Sequence, residues 1–138
     1  MKSRYSPLVL LKKNKMKKSE QSVLQANANL NSASVALELS YEALKNLSQP
    51  SGGSIKEMLA SRALLSSQRD IIKQNKEWLS FAKNQSEQAK NQLKADMLEY
   101  EKFQYLEVQE IKKELYKTKV KESKELDEIA IMRYAGDR

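Results

Sequence analysis

An apolar side chain recurs at every seventh residue along most of this chain. The first series is Val9, Met16, Val23, Leu30, Leu37 and Leu44; the second is Met58, Leu65, Ile72, Leu79, Ser86, Leu93 and Tyr100. A seven-residue repeat held this long demands a helix that buries one narrow seam against another helix. Between the series lies Ser48-Gln49-Pro50-Ser51-Gly52-Gly53. Proline cannot continue a helix, and glycine accepts backbone angles that other residues avoid. The expected fold class is all-α: an elongated antiparallel two-helix coiled-coil hairpin with an overhanging C-terminal helix. Residues 1–138 are expected to form a single coiled-coil domain.

The two series also suggest a register. An antiparallel pairing that sets Val9 opposite Leu93 also sets Val23 opposite Leu79, Leu30 opposite Ile72, Leu37 opposite Leu65 and Leu44 opposite Met58. Only Met16 then meets a polar residue, Ser86. A second seam lies three residues on, at Ala26, Ala33, Ser40 and Leu47, with Ser61, Gln68, Asn75, Ala82 and Ala89 as its counterpart. Small residues there let helices approach closely, and Gln68 and Asn75 help fix register at some cost in stability.

Ser6 is the expected N-cap of helix one and Pro7 its first residue, because proline has no N–H to leave unpaired there. Helix one is expected over about residues 7–48, with the turn at 49–53. Ser54-Ile55-Lys56-Glu57 is a capping-box pattern. Helix two is then expected over about 54–133, free of proline and glycine. The helices would measure about 60 Å and about 120 Å. Helix two therefore outruns its partner beyond about Tyr100. Its apolar pattern also shifts phase by four residues, to Met97, Val108, Ile111, Leu115 and Ile129, a change that unwinds a coiled coil locally. Apolar and aromatic residues on an unpaired helix mark a binding surface.

Composition excludes much. There is no cysteine and no histidine, so disulfides, thiolate chemistry and the usual zinc sites are absent, as is the commonest general acid or base at neutral pH. Gly52-Gly53 follows no strand and resembles no phosphate loop. No enzymatic activity, metal or cofactor is expected, and a two-helix hairpin has little room for a small-molecule substrate. No segment reaches the roughly twenty apolar residues that span a bilayer. Leu8-Val9-Leu10-Leu11 is too short for a signal-peptide core and is followed by lysines, so a cytoplasmic location is expected.

Charge is uneven. Residues 1–18 hold Lys2, Arg4, Lys12, Lys13, Lys15, Lys17 and Lys18 with no acid, which equals the net charge of +7 for the whole chain. The start of a helix already carries partial positive charge, so such a cluster calls for an acidic partner. A second basic run, Lys112 to Lys124, is interspersed with Glu110, Glu114, Glu122 and Glu125 and reads as an ion-pair-laced helix.

The stretch Lys121-Glu122-Ser123-Lys124-Glu125-Leu126-Asp127-Glu128-Ile129-Ala130-Ile131-Met132-Arg133 resembles the C-terminal pattern of the flagellar export FliJ family. The start, Tyr5-Ser6-Pro7-Leu8-Val9-Leu10-Leu11-Lys12, is similar too, as are the length and the two-helix pattern. The resemblance implies a non-enzymatic component of the flagellar type III export apparatus, in the cytoplasm and peripherally associated with the inner membrane at the flagellar base. It implies a coiled-coil shaft that binds the hexameric export ATPase and the cytoplasmic part of the export gate, and escorts export chaperones. Carried onto this sequence, ATPase binding would fall to Leu8, Leu11, Lys12, Lys13, Lys17, Lys124, Asp127, Glu128 and Arg133. Export-gate binding would fall to Tyr41, Leu64 and Ile71.

Two other classes fit the bare residues: a homodimeric structural coiled coil, or a basic coiled coil that binds nucleic acid or lies on a membrane surface. Against nucleic acid stand the absence of a base-reading motif and of aromatic residues within the basic run.

Overall fold

The computed structural model describes residues 3–47 and 53–136. They form two helices, α1 (Ser6–Asn46) and α2 (Ile55–Gly136), packed against each other as an antiparallel hairpin. No strand occurs among the described residues. The turn expected at 49–53 lies outside the described residues, apart from Gly53.

Each helix starts on a serine cap. The Ser3 hydroxyl accepts the Tyr5 N–H at 3.1 Å, and the Ser3 N–H donates to the Ser6 hydroxyl at 3.0 Å. The cap of α1 is thus Ser3 and not Ser6, which already lies in the helix. At α2 the Ser54 hydroxyl accepts the Glu57 N–H at 3.3 Å, the first half of a capping box. The Glu57 carboxylate folds back against Gly53. A Cβ at Gly53 would collide with it, and the φ of 152° there suits glycine alone.

The chain divides into two compact units, Lys17–Lys94 and the pair of segments Met1–Met16 and Ala95–Arg138. In the first, the seam residues of both helices are buried or half-buried in a seven-residue rhythm. The driest positions are small: Ala33 and Ala82 are 0% and 1% exposed, and Ala26, Ser40 and Ser86 are also buried. Leu30, Leu37, Leu65 and Leu79 are half-buried along their edge. Two helices alone cannot wrap a leucine on all sides, whereas an alanine is covered by the partner backbone itself.

The register differs from the expected one by a heptad. Gln68 Nε2 donates to the Ser40 carbonyl at 2.8 Å, Asn75 Nδ2 to the Ala36 carbonyl at 3.3 Å, and Ser86 Oγ to Asn27 Oδ1 at 2.8 Å. Leu79 accordingly lines a common groove with Leu30, the place expected for Ile72. An apolar heptad pattern repeats after each slip of seven, so it cannot choose between such registers. Side-chain pairs can: this register sets Ser86 beside Asn27 and the buried Asp96 beside Lys15, where the expected register would bring Glu20 and Leu8. The slip leaves the start of α2 beyond the end of α1. Ile55, Met58 and Leu59 are all exposed, so Met58 does not pack on Leu44 as expected.

In the second unit the seam runs on without the expected shift of phase. Asp96 is buried, and Tyr100, Phe103, Glu107, Glu110 and Ile111 are half-buried, whereas Met97, Val108, Leu115 and Ile129 are exposed. Arg4 reaches Glu110 at 3.7 Å, so α1 accompanies α2 well past Tyr100. The seam here is largely polar, which hides it from an apolar pattern. From Lys121 to Gly136 every residue of α2 is exposed.

This register predicts that cysteines replacing Leu30 and Leu79 close an intramolecular disulfide under mild oxidation, while cysteines replacing Leu30 and Ile72 do not; non-reducing electrophoresis reads both. Ile72→Ala, at a site 6% exposed, should cost about 2–4 kcal/mol in chemical denaturation.

Candidate functional site

The basic start of α1 meets carboxylates of α2. Lys15 lies 3.6 Å from Asp96, Lys12 lies 3.7 Å from Glu99, and Arg4 pairs with Glu110. Lys12 also sits over the Phe103 ring, 5.4 Å from its centroid, and Arg4 over Tyr5 at 5.0 Å. Part of the acidic partner that the cluster calls for is thus supplied within the hairpin. These contacts also offset the poor placement of cations at a helix start. Asp96 is 3% exposed, so its charge depends on these surroundings.

What remains open to a partner is narrower than the whole cluster. Lys13, Lys17 and Lys18 are exposed and form no ion pair among the described residues. Leu8 and Leu11 are exposed beside them in sequence. Lys12 is half-buried by its two contacts, and Lys17 belongs to the other compact unit. Lys124, Asp127, Glu128 and Arg133 are exposed on the part of α2 that outruns α1. Lys124 lies some fourteen residues, about 20 Å of helix, past Glu110. The α1 and α2 members of the expected ATPase-binding set are therefore not brought together into one patch.

The expected gate-binding trio is divided as well. Tyr41 is flanked by Lys76, whose Nζ lies 5.7 Å from the ring centroid. That contact places Tyr41 on the flank of the seam that carries Asn27, Ser34 and Lys83, which line the groove over Leu30 and Leu79. Leu64 and Ile71 precede the seam residues Leu65 and Ile72, which puts them on the opposite flank. Sequence reading missed Trp78, one heptad beyond Ile71, and Phe81, three residues further. All four are exposed, between 42% and 60%. Ala36 and Leu39 of α1 share their flank. The signal was present as a heptad column beside the core column, Leu64, Ile71 and Trp78, but apolar residues outside the seam carry no weight in a seam search.

Among the described residues no group of acidic side chains could hold a metal ion, and no helix is long and apolar enough to cross a membrane. The surfaces offer packing, charge and hydrogen bonding to a protein partner.

A family model described as Flagellar FliJ protein matches residues 1–138. The chain belongs to the flagellar FliJ family. Neither curated proteins nor solved structures gave a match. FliJ membership makes the chain a non-catalytic component of the flagellar export apparatus, a coiled-coil protein of flagellar protein export. For a FliJ protein the exposed helix faces above are the relevant chemistry.

Thermal or chemical unfolding should separate the two kinds of lysine. Lys12→Ala and Lys15→Ala should each cost about 1 kcal/mol, Lys15 by leaving a buried carboxylate short of a partner. Asp96→Leu should leave stability unchanged or raise it, because a well-packed apolar seam replaces a buried charge. Lys13→Ala should change little.

Proposed function

We propose that this chain is the shaft of the export apparatus that docks the hexameric export ATPase, contacts the export gate and escorts export chaperones. It would work in the cytoplasm, peripherally held at the inner membrane. The observation that carries this reading is the unpaired end of α2. Leu126, Ile129, Ile131 and Met132 are exposed there on a helix with no α1 beside it. A lone helix with so much apolar surface is poorly stable in water and gains from a sheath of other protein. Lys124 and Arg133 flank it with positive charge, and Asp127 and Glu128 supply hydrogen-bond acceptors. Lys13, Lys17 and Lys18 are further exposed cations on α1, apart from that end, and Leu8 and Leu11 add apolar contact. Lys12 belongs to the docking set chiefly by holding α1 on α2, through Glu99 and Phe103.

For the gate, the apolar flank of Leu64, Ile71, Trp78 and Phe81 is the supported surface. Tyr41, on the other flank, would contribute to a different contact.

The test is a pull-down and ATPase-stimulation assay with three variants. Lys13, Lys17 and Lys18 replaced together by Gln should weaken ATPase association by about tenfold with helicity unchanged, since three exposed pairs of about half a kcal/mol each are lost. Leu126→Ser with Ile129→Ser should abolish stimulation. Ile71→Asp should spare the ATPase and reduce binding to the isolated cytoplasmic part of the gate. Full stimulation by the Leu126 and Ile129 variant would remove the ATPase reading. Sedimentation equilibrium showing that the same variant converts a stable dimer to a monomer would favour a homodimer instead.

A further inference from the structure

The flank of the seam that carries Tyr41 holds a row of cations for which neither family membership nor the proposed docking has a use. Arg62, Arg69, Lys76, Lys83 and Lys90 stand on α2 at every seventh position, directly after the seam residues Ser61, Gln68, Asn75, Ala82 and Ala89. All five are exposed. At seven residues per step they are spaced by about 10 Å along one line of the helix. None forms an ion pair among the described residues. Across the seam α1 sets neutral residues in the matching column, Asn27, Ser34 and Tyr41, with Glu20 its one acid. Lys76 rests on the Tyr41 ring, 5.7 Å from its centroid. This is the reverse of the basic start of α1, where Asp96, Glu99 and Glu110 answer Lys15, Lys12 and Arg4.

Between the cation row and the neutral column lies a groove of about 440 Å³. Leu30 and Leu79 form its floor, with Asn27, Asn31 and Ser34 on one side and Lys83 on the other. An apolar floor, one cationic wall and one neutral polar wall match one edge of a helix. We propose that this flank docks a third helix from an acidic partner protein. Its aliphatic edge seats over Leu30 and Leu79, and its carboxylates, repeating every seven residues, meet the α2 cations. Helix-to-helix packing explains both features together, since ridges of a third helix fit such a groove and a heptad row of acids stays in step with a heptad row of bases. A bilayer or a nucleic-acid duplex would use the charges but would leave the apolar surface of Leu30 and Leu79 without a matching partner. The inference does not rest on ATPase or gate docking, which involve other residues.

The probe is a synthetic helical peptide of four heptads, with Leu or Ile along one edge and Glu flanking it, followed by fluorescence anisotropy on the full chain at low salt. Controls are the same peptide with Lys for Glu, vesicles containing phosphatidylglycerol, and duplex DNA. The Glu peptide should bind and the Lys peptide should not. Replacing Arg69, Lys76 and Lys83 by Gln should weaken binding by about tenfold or more, and exchanging Lys76 and Lys83 for Arg should retain it. Ser34→Trp, which fills the groove and leaves every cation in place, should weaken binding to a similar degree. Circular dichroism and the melting curve verify that each variant is folded. Failure of the Glu peptide to bind the wild-type chain overturns the proposal. So does binding that survives Ser34→Trp, because the groove is then unused. Tight binding of vesicles or DNA without peptide binding overturns it in favour of those surfaces.

Discussion

The hairpin depends on a column of small side chains. Ala33 and Ala82 are almost completely buried, Ala26, Ser40 and Ser86 nearly so, and no large side chain among the described residues is fully covered. Close approach of the two backbones is therefore the source of cohesion, and the half-buried leucines beside the column seal its edge. That close approach brings α1 carbonyls within reach of α2 carboxamides. Gln68 and Asn75 donate to the Ser40 and Ala36 carbonyls. Such bonds add only about 1 kcal/mol each to stability, and a buried amide without a partner costs more than that. Packing holds the helices together, and the side-chain pairs Ser86–Asn27 and Asp96–Lys15 distinguish this alignment from one a heptad away.

This division of labour explains what could be read from the sequence. The fold class, the antiparallel hairpin and both seams were legible because the seven-residue repeat runs along α1 and along α2 to Tyr100, with Ser86 its one polar member. The register was not, because that same repeat is indifferent to a slip of seven. The clue lay in Ser86 and Asp96, polar seam positions that meet Asn27 and Lys15 in this register. The course of α2 past Leu93 was misread for a related reason. Its seam passes through Asp96, Glu107 and Glu110, while apolar Met97 and Val108 face water. Pairing with Lys15 and Arg4 makes the acidic positions inward ones, and only tertiary structure discloses such pairs.

The candidate surfaces follow from the seam by position. Residues just before the α2 seam form an apolar flank with Ile71, Trp78 and Phe81; residues just after it form a cationic flank with a groove beside it. The family resemblance groups Tyr41, Leu64 and Ile71 together, but the choice of flank depends on one residue of offset, and Tyr41 lies on the other flank. Likewise, the basic start of α1 looked wholly available, yet Lys12, Lys15 and Arg4 are engaged within the hairpin. The surface left for partners is smaller than the charge count suggests, and it is sorted by chemistry onto separate faces. That sorting suits a FliJ protein, a component without catalysis that acts through contacts within the export apparatus.

The register is the claim on which these faces rest, and a distance between two exposed sites tests it directly. Spin labels at Glu38 and Asn91 are separated along the hairpin by an offset that depends on register. In this structure Glu38 lies level with about Ile71, so the labels should be some 30–35 Å apart by pulsed electron resonance. A narrow distribution in that range supports the account. A distance about 10 Å longer, as a register one heptad earlier requires, would contradict it.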